Sequence, residues 1–421
     1  MPSVLRWASV STPTPVADME IGDHPSVQTR LARKCRPAIV APMRLPKILV
    51  LLAAWLAGSA LGAGEKPAEI SPPPLPDGLY AEFATPHGAF VTELFHQQVP
   101  LTVANFVGLA EGTLAPRDGK PFYTGLTWYR VVPGFVIQSG NPGLKDTGDE
   151  SIPHKFPDEF VPGLRHAEVG VLSMANAGPD TNGCEFFVTL GDCTRLNYLH
   201  SVFGRTVRGL EVLPQIKPDD AFSIKILRVG AAAQAFKADS ATFTALLASG
   251  VKYSGAAEPG PATHFDDPAK VLPAEVPRAK NFNFKLANFQ RATSRRIYAR
   301  VYPAFTPTEQ AKTPAPFTQQ LAKTLGVHRD GVLAVYFADK DQWYVWVGDD
   351  LMPVFNPDRQ RTMDVKNALY QAVKAKAAAY TEQARATRGP DKTLQPADLA
   401  KYSVDAMLDL LIFQFEPKPK N

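Results

Sequence analysis

The sequence predicts a multidomain chain of two unlike halves, an N-terminal closed β-structure with a few capping helices and a C-terminal α/β part. Three observations predict it. The chain has 421 residues, too many for one ordinary hydrophobic core. Short runs alternating apolar and polar residues, punctuated by Gly and Pro, fill the first half, whereas Ala/Lys/Gln-rich segments of high helix propensity close the second. Between them, residues 258–280 are Pro-rich and poor in large apolar residues, which marks a domain boundary.

Hydrophobic residues make up 45% and charged residues 20%, so wholesale disorder is excluded. Residues 1–63 hold seven Lys/Arg against three Asp/Glu, which leaves the remainder balanced despite a formal net charge of +4. A neutral body argues against a nucleic-acid surface.

From Met43 the chain reads Arg44, Leu45, Pro46, Lys47 and then an uncharged apolar run over residues 48–63. Two basic residues, an apolar run and small residues form the pattern of a secretory signal peptide, with cleavage expected after Gly62 or Ala63. The run has 16 residues, short of the ~18–20 of a spanning helix. The expectation is an extracytoplasmic protein, periplasmic or secreted, tethered to a membrane only if the signal is not cleaved. Residues 1–42 then read as a mispredicted extension, with translation starting at Met43. Beyond the leader only Cys184 and Cys193 remain, and sequence leaves their pairing open. The chain has no CxxC or HExxH motif, so neither a metal site nor a cofactor is expected.

Residues 64–78 form a Pro-rich linker. Residues 79–84 and 89–95 alternate around Pro86-His87-Gly88, a β-hairpin signal. Residues 100–112 place Val103, Phe106, Val107 and Leu109 on one helical face, with Gly112 as the stop. Strand-like runs follow at 127–132, 135–138, 170–174, 186–190 and 201–203. A helix and the Pro-rich linker occupy 232–280, and residues 281–421 form the second domain. There, strands are expected at 297–302, 331–338 and 343–347, the last two joined by Asp339-Lys340-Asp341-Gln342, and helices at 365–388 and 395–413. Trp343 and Trp346, three apart on a strand, are expected on opposite faces.

Three collinear blocks carry the chemistry. They are Trp128-Tyr129-Arg130-Val131-Val132-Pro133-Gly134-Phe135-Val136-Ile137-Gln138-Ser139-Gly140, the stretch from Ser173 through Ala175-Asn176 to Cys184-Glu185-Phe186-Phe187, and Leu196 through His200 with Val202-Phe203-Gly204. Together they resemble the cyclophilin family of peptidyl-prolyl cis/trans isomerases over about residues 79–230, which implies a closed, cyclophilin-like β-barrel over residues 79–231. Rotation about an X–Pro bond faces a barrier of ~18–20 kcal/mol because the amide is resonance-stabilised. A guanidinium aimed at the prolyl nitrogen favours the twisted amide, whose lone pair is free, and Arg130 is the candidate. The resemblance implies Arg130 and Gln138 as catalytic residues. It implies substrate binding by Phe135, Val136, Ala175, Asn176, Glu185, Phe187, Leu196 and His200, with proline-containing polypeptides as clients.

Two positions depart from the family pattern. Glu185 stands where glutamine is common, and is expected either to pair with Arg130 or to favour basic residues near the target proline. Arg195 stands where many members carry an aromatic residue, which opens the pocket rim and weakens the case for tight cyclosporin binding. These departures keep a second reading open, a module that binds proline segments without turnover. Residues 321–352 resemble the central hairpin of TPM-type domains, extracytoplasmic α/β modules. There Asp339, Asp341, Asp349 and Asp350 read either as solvated loop acids or as a cation cluster that would place the main activity in this half.

Overall fold

The structure is a computed structural model and describes residues 73–115, 119–142, 154–250, 263–273, 278–388 and 393–418. The segment 1–42, the expected signal at 43–63, most of the 64–78 linker and residues 251–262 and 274–277, which include part of the Pro-rich stretch, lie outside the described residues. Among the described residues no helix is long and apolar enough to cross a membrane.

The first half is an eight-stranded antiparallel sheet. The hairpin forms as expected, β1 (Gly78–Thr85) against β2 (Gly88–Leu94). It is followed by β3 (Arg130–Val132), β4 (Val136–Ser139), β5 (Val171–Met174), β6 (Phe186–Thr189), β7 (Val202–Arg208) and β8 (Ser223–Val229). The spatial order is β3-β4-β6-β5-β7-β2-β1-β8. The expected closed barrel is not closed by hydrogen bonds, for β3 and β8 end the order and do not pair. With β3 only three residues long, the ladder runs out before the edges meet. The junction is made instead by flanking chain, at a Thr127–Ala221 bridge and a Trp128 N–H donating to the Asp220 carbonyl at 3.0 Å.

Helix α1 (Pro100–Glu111) starts on proline and stops at Gly112, whose φ of +75° suits glycine. Its expected apolar face is buried, and so is every other residue from Leu101 to Ala110. The helix lies between the sheet and α3 (Ser240–Ser249), which follows the short α2 (Ala231–Ala235). Phe83, Phe90, Phe106, Trp128, Phe186 and Phe203 build an aromatic core in which Phe83 stacks on Phe90 at 4.6 Å.

The second half is α/β. Strands β9 (Phe265–Asp266), β10 (Arg296–Tyr302), β11 (Gly331–Phe337) and β12 (Gln342–Val347) form one mixed sheet, in which β10 runs parallel to both β9 and β11 and β12 is antiparallel. One face packs on α4 (Arg278–Thr293), α7 (Thr362–Arg388) and α8 (Pro396–Phe415), with a short α6 (Met352–Phe355) at one end, and the other on α5 (Pro314–Thr324). Period two divides the tryptophans as expected, Trp343 into the larger core and Trp346 towards α5. Trp346 is half-buried, its Nε1 donating to the His328 carbonyl at 3.0 Å.

Candidate active site

Sheet register assembles the site. Arg130 pairs with Gln138 across β3 and β4, Gln138 with Phe187 across β4 and β6, and Phe187 with Ser173 across β6 and β5. Directly opposed residues share a face, so this row points to one side of the sheet. Phe186, the neighbour of Phe187, points the other way into the aromatic core. A close approach beneath β4 requires glycine at Gly140, where φ is +105° and a Cβ would sit 2.4 Å from the Cys184 carbonyl.

The Arg130 side chain is exposed, and its Nη1 donates to Gln138 Oε1 at 2.8 Å. Gln138 is held in that orientation because its Nε2 donates to Tyr129 Oη at 2.8 Å and to Glu185 Oε2 at 3.0 Å. Glu185 takes two further hydrogen bonds, from Tyr129 Oη at 2.6 Å and from Asn141 Nδ2 at 2.9 Å. The expected pairing of Glu185 with Arg130 is not formed in this network. No ion pair joins it to Arg130, and three hydrogen bonds from three side chains occupy its carboxylate, which is linked to Arg130 through the Gln138 amide. Burial and the adjacent Glu185 push the Tyr129 hydroxyl well above its ordinary pKa, so it remains a donor.

Beside this network lies an apolar slot. Val136, Phe187 and Cys193 form its buried floor, with Phe135, Ala175 and Leu196 around them. His200 meets the Phe187 ring edge-on at 5.5 Å. Its Nδ1 lies 3.0 Å from the Met174 carbonyl, which can only accept, so Nδ1 carries the proton and Nε2 is an acceptor. Burial lowers the His200 pKa to about 4, and the ring is neutral at pH 7. Behind Phe187, His166 stacks at 5.7 Å and is tied to Ser173 Oγ at 2.9 Å and Asn197 Oδ1 at 3.0 Å. Asn176 spends its side-chain amide on the Leu199 carbonyl at 2.9 Å, so what it can offer a substrate is its main chain.

The structure therefore gathers all ten expected residues around one surface: Arg130 and Gln138 at the edge, Phe135, Val136, Ala175, Phe187, Leu196 and His200 in or around the slot, Glu185 behind Gln138 and Asn176 at the loop end. Sequence reasoning missed Tyr129, Asn141, His166 and Cys193. Tyr129 adjoins Arg130 in the first block, but the other three carry no local signal. Arg195 does not leave the rim open. Its guanidinium lies 4.5 Å from the centre of the Phe135 ring, and Arg130 lies 5.9 Å from the same ring.

No disulfide joins Cys184 and Cys193, both of which are buried, and burial pushes the Cys193 thiol up to about 12. Among the described residues no group of three or more His, Cys, Asp or Glu converges as a metal site. Asp341 accepts from Tyr336 Oη at 2.8 Å while Asp350 lies 3.7 Å from Arg329. A cavity of about 560 Å³ between α5, β12 and α7 is lined by none of the ten residues expected at the proline site.

Residues 80–230 match the family model described as cyclophilin type peptidyl-prolyl cis-trans isomerase/CLD. Peptidyl-prolyl cis-trans isomerase-like 1 of Aspergillus fumigatus is 39% identical over 135 residues, 32% of this chain and 79% of that protein. Probable peptidyl-prolyl cis-trans isomerase A of Mycobacterium leprae is 44% identical over 131 residues, 30% of this chain and 71% of that protein. A solved cyclophilin type isomerase of Cryptosporidium parvum, crystallised in the presence of the dipeptide ala-pro, is 30% identical, covering 36% of this chain and 99% of that one, with a TM-score of 0.32.

Proposed function

This chain belongs to the cyclophilin-type peptidyl-prolyl cis-trans isomerases, and from that premise we propose that it accelerates X–Pro rotation in client polypeptides outside the cytoplasm, with Arg130 acting on the prolyl nitrogen. The observation that carries the mechanism is the cross-strand row in which Arg130, held by Gln138, stands next to the apolar cluster around Phe187.

The proline ring enters the slot, which fixes the C-terminal side of the bond, while the preceding residue turns. As the amide twists, resonance is lost and the nitrogen lone pair becomes an acceptor. An Arg130 N–H donates to it, an interaction absent in the planar ground state. The Gln138–Tyr129–Glu185 network keeps the guanidinium in place beforehand, so little reorganisation is required during rotation. His200, neutral at pH 7, adds no charge to the slot. No covalent bond forms, and a thousandfold acceleration needs about 4 kcal/mol of differential binding.

The location outside the cytoplasm rests on the signal pattern at residues 43–63. The second half is proposed as an accessory module of TPM type, supported by its parallel β10–β11 pair and antiparallel β11–β12 hairpin. Cis/trans exchange of an X–Pro peptide, followed by NMR with and without the protein, tests the activity. Acceleration of exchange is expected. Peptide line shifts without acceleration would leave a proline-binding module and refute catalysis.

A further inference from the structure

The second half does not merely accompany the isomerase sheet but clasps the segment that carries Leu196 and His200. Lys285 Nζ on α4 donates to the Arg195 carbonyl at 3.2 Å, and Asn288 Nδ2 donates to the Tyr198 carbonyl at 2.8 Å. From α7, Tyr380 Oη meets Thr194 Oγ1 at 2.8 Å and Lys376 lies 3.3 Å from Asp192. Gln383 Nε2 on the same helix donates to the Gly134 carbonyl at 2.9 Å, at the turn between β3 and β4. Contacts thus fall on both sides of the apolar slot.

The clasp leaves a cavity of about 340 Å³ in front of the slot. One wall is Phe135, Leu196, Leu199 and His200, and the other comes from α4, α7 and α8, notably Phe282, Thr387 and Tyr402. Its size lies at the lower end of ligand sites, larger than a proline ring needs and able to take a neighbouring side chain. Charge in the cavity is uneven. Lys401 and Asp405 of α8 form a pair at 2.7 Å, each almost wholly buried, so they cancel. Arg195 also lines the cavity, stacked on Phe135, and among the described residues it forms no ion pair with a carboxylate. Glu185 is occupied behind Gln138, and Asp192 is taken by Lys376. The surplus is therefore positive, and the exposed guanidinium of Arg130 at the slot edge has the same sign.

We propose that this cavity is a substrate subsite built jointly by the two halves, which selects polypeptide segments carrying an acidic side chain next to the isomerised proline. The inference rests on the reading of the slot as the proline site. The ring occupies the slot, the flanking side chain lies along Phe282 and Tyr402, and its carboxylate meets Arg195. The second half thereby sets specificity rather than chemistry.

The test measures NMR exchange of Ala-Xaa-Pro-Ala and Ala-Pro-Xaa-Ala peptides, with Xaa as Glu, Ala or Lys, beside acetyl-Ala-Pro-amide, using the whole protein. In one of the two series the wild type is expected to turn over the Glu peptide about fivefold faster than the Lys peptide in kcat/KM, about 1 kcal/mol, the upper end for a partly exposed ion pair. Arg195→Gln should bring the ratio below twofold. Thr387→Trp narrows the cavity from an exposed position on α7 without changing charge, and should slow the Glu tetrapeptide at least threefold relative to acetyl-Ala-Pro-amide. Equal turnover of Glu and Lys peptides in both series overturns the proposal. So does a ratio that survives Arg195→Gln, or a Thr387→Trp protein in which that relative rate is unchanged. Absence of acceleration for every peptide, acetyl-Ala-Pro-amide included, would refute the isomerase reading itself.

Discussion

Replacing Arg130 with alanine isolates the catalytic interaction from the fold. The side chain is exposed on a three-residue edge strand, and its hydrogen bond goes to the Gln138 side chain, so its removal creates no cavity. Stability should change by no more than about 0.5 kcal/mol, the usual range for a surface substitution. The transition state loses a charge-assisted hydrogen bond to the prolyl nitrogen, worth about 1.5–3 kcal/mol. At about 1.4 kcal/mol per tenfold this predicts a loss between about tenfold and about a hundredfold in kcat/KM. The smaller figure applies if solvent still reaches the guanidinium in the complex. Arg130→Lys keeps the charge but lacks the planar fork that lets one group hold Gln138 and reach the nitrogen together, so its rate should fall between those of wild type and alanine. NMR exchange on a single X–Pro peptide reads all three proteins, with thermal unfolding confirming that they fold. An alanine variant within threefold of wild type, equally stable, would refute Arg130 as the group that acts on the nitrogen.

The buried histidines predict a pH dependence. His166 is held neutral by burial, its pKa lowered to about 3 from 6.5, so as pH falls the unfolded chain takes up the proton first. The stability it contributes is complete above pH 6.5 and lost progressively below it. Asp158, pushed up to about 6 by burial, works in the opposite sense, so the comparison needs a variant. The stability gap between wild type and His166→Gln in urea unfolding should narrow by up to roughly 3 kcal/mol between pH 6.5 and 4, and a constant gap would contradict the account. In the clasp, Lys285→Met leaves the buried Asp409 carboxylate without its cation and should cost about 3–5 kcal/mol, while Lys285→Met with Asp409→Leu should recover most of the loss in denaturant titration. Cys184 and Cys193, both buried and not joined in a disulfide, should stay unmodified by a thiol reagent in the native protein and react together on denaturation; fast labelling of the native state would contradict their burial.

Much of the fold was legible because it is local. The hairpin around Pro86-His87-Gly88, the helix from Pro100 to the stop at Gly112 and the long α7 and α8 follow from alternation, turn chemistry and propensity within one short window each. Helix α4 escaped such reading because its buried positions include Asn283, Lys285 and Asn288, which look like a polar face. They are buried because partners far along the chain satisfy them: the His264 N–H bonds to Asn283, Asp409 pairs with Lys285, and the Tyr198 carbonyl accepts from Asn288. The same reason decided Glu185, for no local pattern shows that Tyr129, Gln138 and Asn141 surround it.

By itself the sequence determined the candidate surface, since Arg130, Gln138 and Phe187 sit on neighbouring strands, and period-two alternation with the pairing register carries them to one face. What surrounds that surface was decided only by tertiary structure. His166 behind Phe187, the guanidinium of Arg195 over Phe135, and α7 and α8 across the slot come from packing between segments as much as about 250 residues apart. Burial, long-range hydrogen bonding and ion pairing select such contacts, and none of these is a property of any short stretch of chain.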